Sequence, residues 1–80
     1  DSAQLVDLFA WSETDFNERL VGSPIRRIGH ERWLRNIAVA LGNAPPSSEI
    51  QAALGARLRH PSELVREHVA WALARQQTAP

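Results

Sequence analysis

The densest chemistry in the chain lies between residues 22 and 36. Arg26, Arg27, Arg32 and Arg35 fall within ten positions, with His30 and Trp33 among them and Asn36 next to the last arginine. A guanidinium presents a planar fork of N–H donors that fits the oxygens of phosphates and carboxylates. This cluster therefore points to anion recognition, either of RNA phosphates or of acidic groups on a neighbouring protein domain. A solvated basic face with Trp33 simply in the core uses the same residues. Asn36 weighs against that plainer reading, because an amide between Arg35 and Ile37 is a poor choice for the interior of a helix.

Catalytic chemistry is much thinner. The histidines are His30, His60 and His68, and no two have the i, i+4 spacing of a helical metal site. There is no cysteine, hence no disulfide, no thiolate metal site and no iron–sulfur ligation from this chain alone. The serines at 2, 12, 23, 47, 48 and 62 all sit at or near expected helix starts, where capping accounts for them without a nucleophile. No glycine-rich phosphate loop is present. The expectation is a binding module with no catalytic residue, no metal, no cofactor and no small-molecule substrate of its own. Beyond the main cluster, His30 and Arg66 are secondary candidates for the same surface.

The elements that must hold these residues read as helices with clear stops. Ser2 can cap a first helix carrying Leu5, Val6, Leu8 and Phe9, and Ser12 with Asp15 resembles a capping box for a second through Phe16 and Leu20. Gly22 is placed to end that helix, and Ser23-Pro24 repeats a start signal, with proline at a position where its missing N–H costs nothing. Gly29 interrupts this short third segment. The clearest stripe, Trp33, Leu34, Ile37, Ala40 and Leu41, predicts a helix from about His30 to Leu41, stopped by Gly42-Asn43 and Pro45-Pro46. On that helix Arg32, Arg35 and Asn36 share one surface, and Arg26 and Arg27 lie near its anion-favouring N-terminus. Ser48 with Gln51 opens the next helix, with Ile50, Ala53, Leu54 and Leu58 as its stripe. His60-Pro61 breaks it, and Ser62 caps a last helix with Leu64, Val65, His68, Val69, Trp71, Ala72 and Leu73 inward or near it. Trp11 sits where it can staple the first two helices. No stretch alternates with period two, so no strand is expected.

An internal echo sets the architecture. Leu34-Arg35-Asn36 followed by Ala40-Leu41-Gly42 resembles Val65-Arg66-Glu67 followed by Ala72-Leu73-Ala74, the arginines 31 positions apart and the leucines 32. Two-helix units at about this period mark HEAT-like stacks. The fold class expected is all-α: a short right-handed α-solenoid of HEAT-like (PBS-type) repeats, about five helices in all. Residues 1–21 would form an acidic helical cap, 22–77 the repeats and 78–80 a disordered tail.

Net charge is zero, yet residues 1–20 hold five acids against Arg19 alone, whereas 21–80 hold eight arginines against four acids. All nine basic residues are arginine, a bias that genome composition alone can also produce. At 80 residues there is room for one core. The absence of methionine predicts a processed protein or a piece of a longer one. No apolar run approaches the roughly 18–20 residues needed to span a bilayer, and no signal peptide opens the chain, so the expectation is a cytoplasmic protein without membrane contact.

The segments Gly22-Ser23-Pro24-Ile25-Arg26-Arg27-Ile28-Gly29 and Arg32-Trp33-Leu34-Arg35-Asn36-Ile37-Ala38-Val39-Ala40-Leu41-Gly42-Asn43-Ala44 resemble the C-terminal region of bacterial epoxyqueuosine reductases. Leu5, Leu8-Phe9, Trp11-Ser12-Glu13, Phe16, Leu64 and Glu67-His68-Val69-Ala70-Trp71-Ala72 extend the likeness over nearly the whole chain. The resemblance implies a parent oxidoreductase with a cobalamin-binding region and two [4Fe–4S] clusters, which reduces epoxyqueuosine to queuosine at the tRNA wobble position. It implies for this piece a HEAT-like accessory domain that helps bind tRNA near the anticodon and closes over catalytic domains lying elsewhere in the parent chain. By position that role passes to Arg26, Arg27, Arg32, Arg35 and Asn36. A purely structural interdomain or protein-interaction HEAT scaffold without RNA contact is the other role open to the same residues.

Overall fold

The computed structural model describes residues 1–78. Among them are five α-helices and no strand: α1 (Ser2–Phe9), α2 (Glu13–Arg19), α3 (His30–Asn43), α4 (Ser48–Gly55) and α5 (Glu63–Thr78), with a 3₁₀ turn at Pro24–Ile28 between α2 and α3. The all-helical expectation holds. Local hydrogen bonding explains most boundaries. Ser12 Oγ accepts from the Asp15 N–H while the Asp15 carboxylate accepts from the Ser12 N–H, a reciprocal capping box. The Ser12 backbone N–H first, and the Ser12 hydroxyl after it, hold the pKa of the Asp15 carboxyl below its ordinary value. Ser23 Oγ caps the 3₁₀ turn at Ile25 N–H, with Pro24 at its start. Gly29 then turns the chain into α3 at φ 85°, ψ 154°, a conformation open essentially only to glycine.

Several boundaries differ from the sequence expectation. Asp1, not Ser2, caps α1, sharing a capping box with Gln4. Ser47, not Ser48, caps α4. Gly42 and Asn43 are the last residues inside α3 rather than its stop; the stop is Ala44, extended at ψ 160° as a residue before proline prefers to be. Of the expected tail, Thr78 ends α5, and Ala79 and Pro80 lie outside the described residues.

The core is built where α3 and α5 meet. Leu34, Ile37, Ala38 and Leu41 of α3 are buried against Val65, Val69 and Ala72 of α5, with Ile50 and Leu54 of α4 and Phe9 of α1 completing the cluster. α3 and α5 run parallel: Glu31 near the start of one meets Ser62 before the start of the other, and Leu41 and Ala44 meet Gln76 at the far ends. Paired positions in these contacts differ by 31, 35 and 32, close to the spacing of the sequence echo. Gly42 permits the close approach, since a Cβ there would lie 2.9 Å from the Ala72 Cα and 2.8 Å from Trp71 Cζ3. Gln76 locks the far end from within the core. Its Nε2 donates to the Leu41 and Ala44 carbonyls and its Oε1 accepts from Ser47 N–H, so this buried amide has both of its ends satisfied.

A second, aromatic cluster fixes the N-terminal helices. Phe16 of α2 is fully buried against Trp33, with centroids 4.9 Å apart, and Trp11 packs on the same Trp33 at 5.2 Å. Leu58 and Trp71, expected inward or near it, are instead 46% and 41% exposed. For Trp71 the reason is steric: α3 and α5 approach so closely at Gly42 that the indole is held at the rim of the contact.

Candidate nucleic-acid interface

The arginine cluster divides between two consecutive elements. Arg26 and Arg27 project from the 3₁₀ turn, both exposed, and border an open depression with Asn17, Gly22, Ser23 and Pro24. Arg32 follows on the first turn of α3, also exposed. Among the described residues none of these three side chains forms an ion pair or hydrogen bond with another. Arg35 and Asn36 lie one turn further along α3, on the same face by the i, i+3, i+4 geometry. Arg35 Nε donates to Asn36 Oδ1 at 2.8 Å, so the amide orients its neighbour's guanidinium. This is a physical use for the polar residue that looked out of place in the helix. No side chain caps the α3 N-terminus, whose N-cap is Gly29, leaving backbone N–H groups on the same end as the arginines.

The two secondary candidates are committed to internal bonds instead. His30 is 7% exposed and sits among Phe16, Trp33 and His60, its Nε2 2.8 Å from the Trp11 carbonyl oxygen. It ties the turn between α1 and α2 to the start of α3. Arg66 Nη1 donates to the carbonyls of His60 and Pro61 at 2.7 and 2.9 Å, closing the turn before α5.

A third framework residue gave no sequence signal. Arg57 donates through Nε and Nη2 to the Phe9 carbonyl and through Nη2 to that of Trp11, across 48 and 46 positions of sequence. It satisfies carbonyls left open where α1 ends, and burial lowers the pKa of its guanidinium. An arginine after Gly55-Ala56 reads as surface, and only the fold reveals its partners. Beside it, His60 Nδ1 accepts from Ser62 N–H at 3.0 Å, and Ser62 Oγ donates to the Glu31 carboxylate.

For metal or cluster chemistry the donor set does not fit. The chain has no cysteine, and among the described residues no three His, Asp or Glu side chains group as an ion site requires. Nor is any described helix long and apolar enough to cross a membrane.

Comparison with known proteins gives one consistent answer. No family profile matches the chain, and no solved structure matches it. Three of the curated relatives it does match are named epoxyqueuosine reductase. That of Xanthomonas campestris pv. campestris is 65% identical over 74 residues, 92% of this chain and 21% of the relative. The Pseudomonas aeruginosa protein is 61% identical over 75 residues, 94% of this chain and 21% of its own length. The Escherichia coli K12 protein is 60% identical over 74 residues, 91% of this chain and 19% of its own length. The chain thus spans about a fifth of the relatives it matches, and over that span it is homologous to a segment of the oxidoreductase epoxyqueuosine reductase.

Proposed function

We propose that this chain is an accessory helical segment of an epoxyqueuosine reductase, and that its arginine edge holds the tRNA substrate near the anticodon while other parts of the enzyme reduce the epoxide to queuosine. One observation carries the reading: Arg26, Arg27 and Arg32 stand exposed on consecutive elements with no partner among the described residues, and Arg35 is aimed by Asn36 on the same helix. The parallel placement of α3 and α5, with α4 between them in sequence, supports a HEAT-like arrangement. The cobalamin and [4Fe–4S] groups of such an enzyme would lie outside this segment, which offers no thiolate to hold a cluster. A tRNA-modifying enzyme of this kind works in the cytoplasm.

The test is titration of a labelled tRNA anticodon stem-loop at two salt concentrations. Each arginine that neutralises a phosphate releases counterions, so Arg32→Ala should lower the salt slope by roughly one. Unchanged affinity and slope in Arg32→Ala and Arg26→Ala would reject the reading for those residues.

A specific observation favours a second role for the 3₁₀ turn. Val21, Ile25 and Ile28 are 68%, 49% and 41% exposed around Arg26 and Arg27. Apolar side chains clustered with arginine suit a protein contact, and in the relatives about four fifths of the chain lies outside the matched segment. If this ledge docks on the remaining domains, Ile25→Asp in the longer enzyme should loosen that association without changing the salt slope for RNA.

A further inference from the structure

The arginine edge offers RNA a set of phosphate contacts but no contact to a base. Trp71 supplies one. Its indole is 41% exposed at the junction of α3 and α5, steadied by Gly42 beneath it and by the Arg75 guanidinium 5.2 Å from the ring centroid. Arg75 comes from the following turn of α5. On the preceding turn a groove of about 330 Å³ opens between the helices, bordered by Trp71, Val39, Glu67 and His68. Its walls are an indole, an isopropyl group, a carboxylate and an imidazole.

The polar atoms of this groove accept hydrogen bonds. His68 Nδ1 lies 2.8 Å from the Leu64 carbonyl oxygen. A carbonyl cannot donate, so Nδ1 carries a proton and Nε2 is the only ring nitrogen that can accept. The Glu67 carboxylate is an acceptor too. A flat ligand with ring or exocyclic N–H donors therefore matches the site, whereas a phosphate does not.

Phosphate is provided for nearby. Val39 follows Arg35 by four residues, one helical turn of about 5.4 Å along the same face of α3, and Arg32 lies a further turn back. An aromatic face and a guanidinium edge on the same pair of helices offer a single-stranded nucleotide both of its contacts, base on the indole and phosphate on the arginines. We infer that the α3–α5 groove binds one unpaired nucleobase of the RNA, stacked on Trp71 with its N–H donors toward Glu67 and His68. The inference rests on the proposal that RNA meets the arginine edge and adds the contact that tells a loop from a duplex.

Substitutions that separate packing from stacking provide the test: Trp71→Leu keeps bulk against Gly42 without a π-face, and Trp71→Phe keeps a ring. Binding of a labelled RNA stem-loop and of a fully paired duplex of the same length is measured for each, alongside Arg32→Ala, with circular dichroism melting to establish that each variant is folded. Trp71→Leu should weaken stem-loop binding about tenfold or more and leave the duplex unaffected, while Trp71→Phe retains most of the affinity. Equal loss for stem-loop and duplex, or none for either, overturns the base site; if Arg32→Ala still weakens both RNAs, the arginine edge survives it. If the wild-type chain binds neither RNA at low salt, both readings fall together.

Discussion

Arg35 of α3 and Arg66 of α5 occupy matching places in the repeated motif, and the molecule uses them differently. Arg66 reaches back to two carbonyls of the turn that precedes its own helix. Arg35 makes no such bond; the turn before α3 closes on itself through Gly29 N–H to the Arg26 carbonyl, and Arg35 pairs with its neighbour Asn36. The following positions diverge in the same way. Leu41 is fully buried and its counterpart Leu73 only partly; Gly42 is buried beneath α5, and its counterpart Ala74 is exposed. One copy of the motif thus serves as framework at its arginine and the other at its Leu-Gly pair. A repeated sequence specifies a repeated helix, but the role of each side chain follows from what lies on its open side.

The comparison is broken most strongly at the leucines. Leu41→Ala should cost about 3–5 kcal/mol, transfer plus cavity, because every neighbour is fixed in the core. Leu73→Ala should cost about 1–2 kcal/mol, since part of its surface is already in water. Urea unfolding of the two variants checks this, and equal losses would mean that the two helices are buried alike.

The arginines come next. Arg66→Ala leaves the His60 and Pro61 carbonyls without their charged donor and should cost about 2 kcal/mol. In a chain of this size that is a fall of roughly 8–16 °C in melting temperature. Arg35→Ala should stay within about 0.5 kcal/mol of wild type while weakening RNA binding. Stability loss from Arg35→Ala as large as that from Arg66→Ala would assign both arginines to the framework. Between these two effects, Gly42→Ala should destabilise by about 1–2 kcal/mol despite the better helix propensity of alanine, because the new methyl meets the α5 backbone at 2.9 Å.

These contrasts mark what the sequence can reveal. The Ser12–Asp15 capping box, the Ser23-Pro24 start and the Gly29 interruption depend on bonds within a few residues, and they are legible. Gly42 was not, because a glycine near a helix end serves equally as a stop or as a contact point, and only Trp71 and Ala72 decide between them. Ser47 and Ser48 are equally good caps in isolation; the bond from Ser47 N–H to Gln76 Oε1 seats the loop so that Ser47 takes the position. Gln76 and Arg57 hold the fold through partners far away in sequence, so their polar character pointed to the surface. In the candidate interface, the exposure of Arg26, Arg27 and Arg32 followed from composition, whereas the inward commitments of His30 and Arg66 required the turns they bind.

The subtlest difference between the two copies is titratable. His60 stands in the turn before α5, and its Nδ1 must be unprotonated to accept from Ser62 N–H. Burial lowers its pKa below the ordinary 6.5, reinforced by Arg57, His30 and Arg66 and opposed by Glu31. Between its folded value and 6.5 the unfolded chain therefore binds more protons than the folded one, so this contribution to stability is complete above 6.5 and falls as acid is added toward the folded pKa. Melting temperature should decline as the pH falls below about 6.5. His60→Asn is the informative variant. An asparagine carbonyl accepts from the N–H two residues on, as in an Asx turn, without titrating, so the decline should flatten while the turn is retained. If the decline persists unchanged in His60→Asn, the acid sensitivity belongs to other groups, and the turn before α5 is as indifferent to pH as the glycine turn before α3.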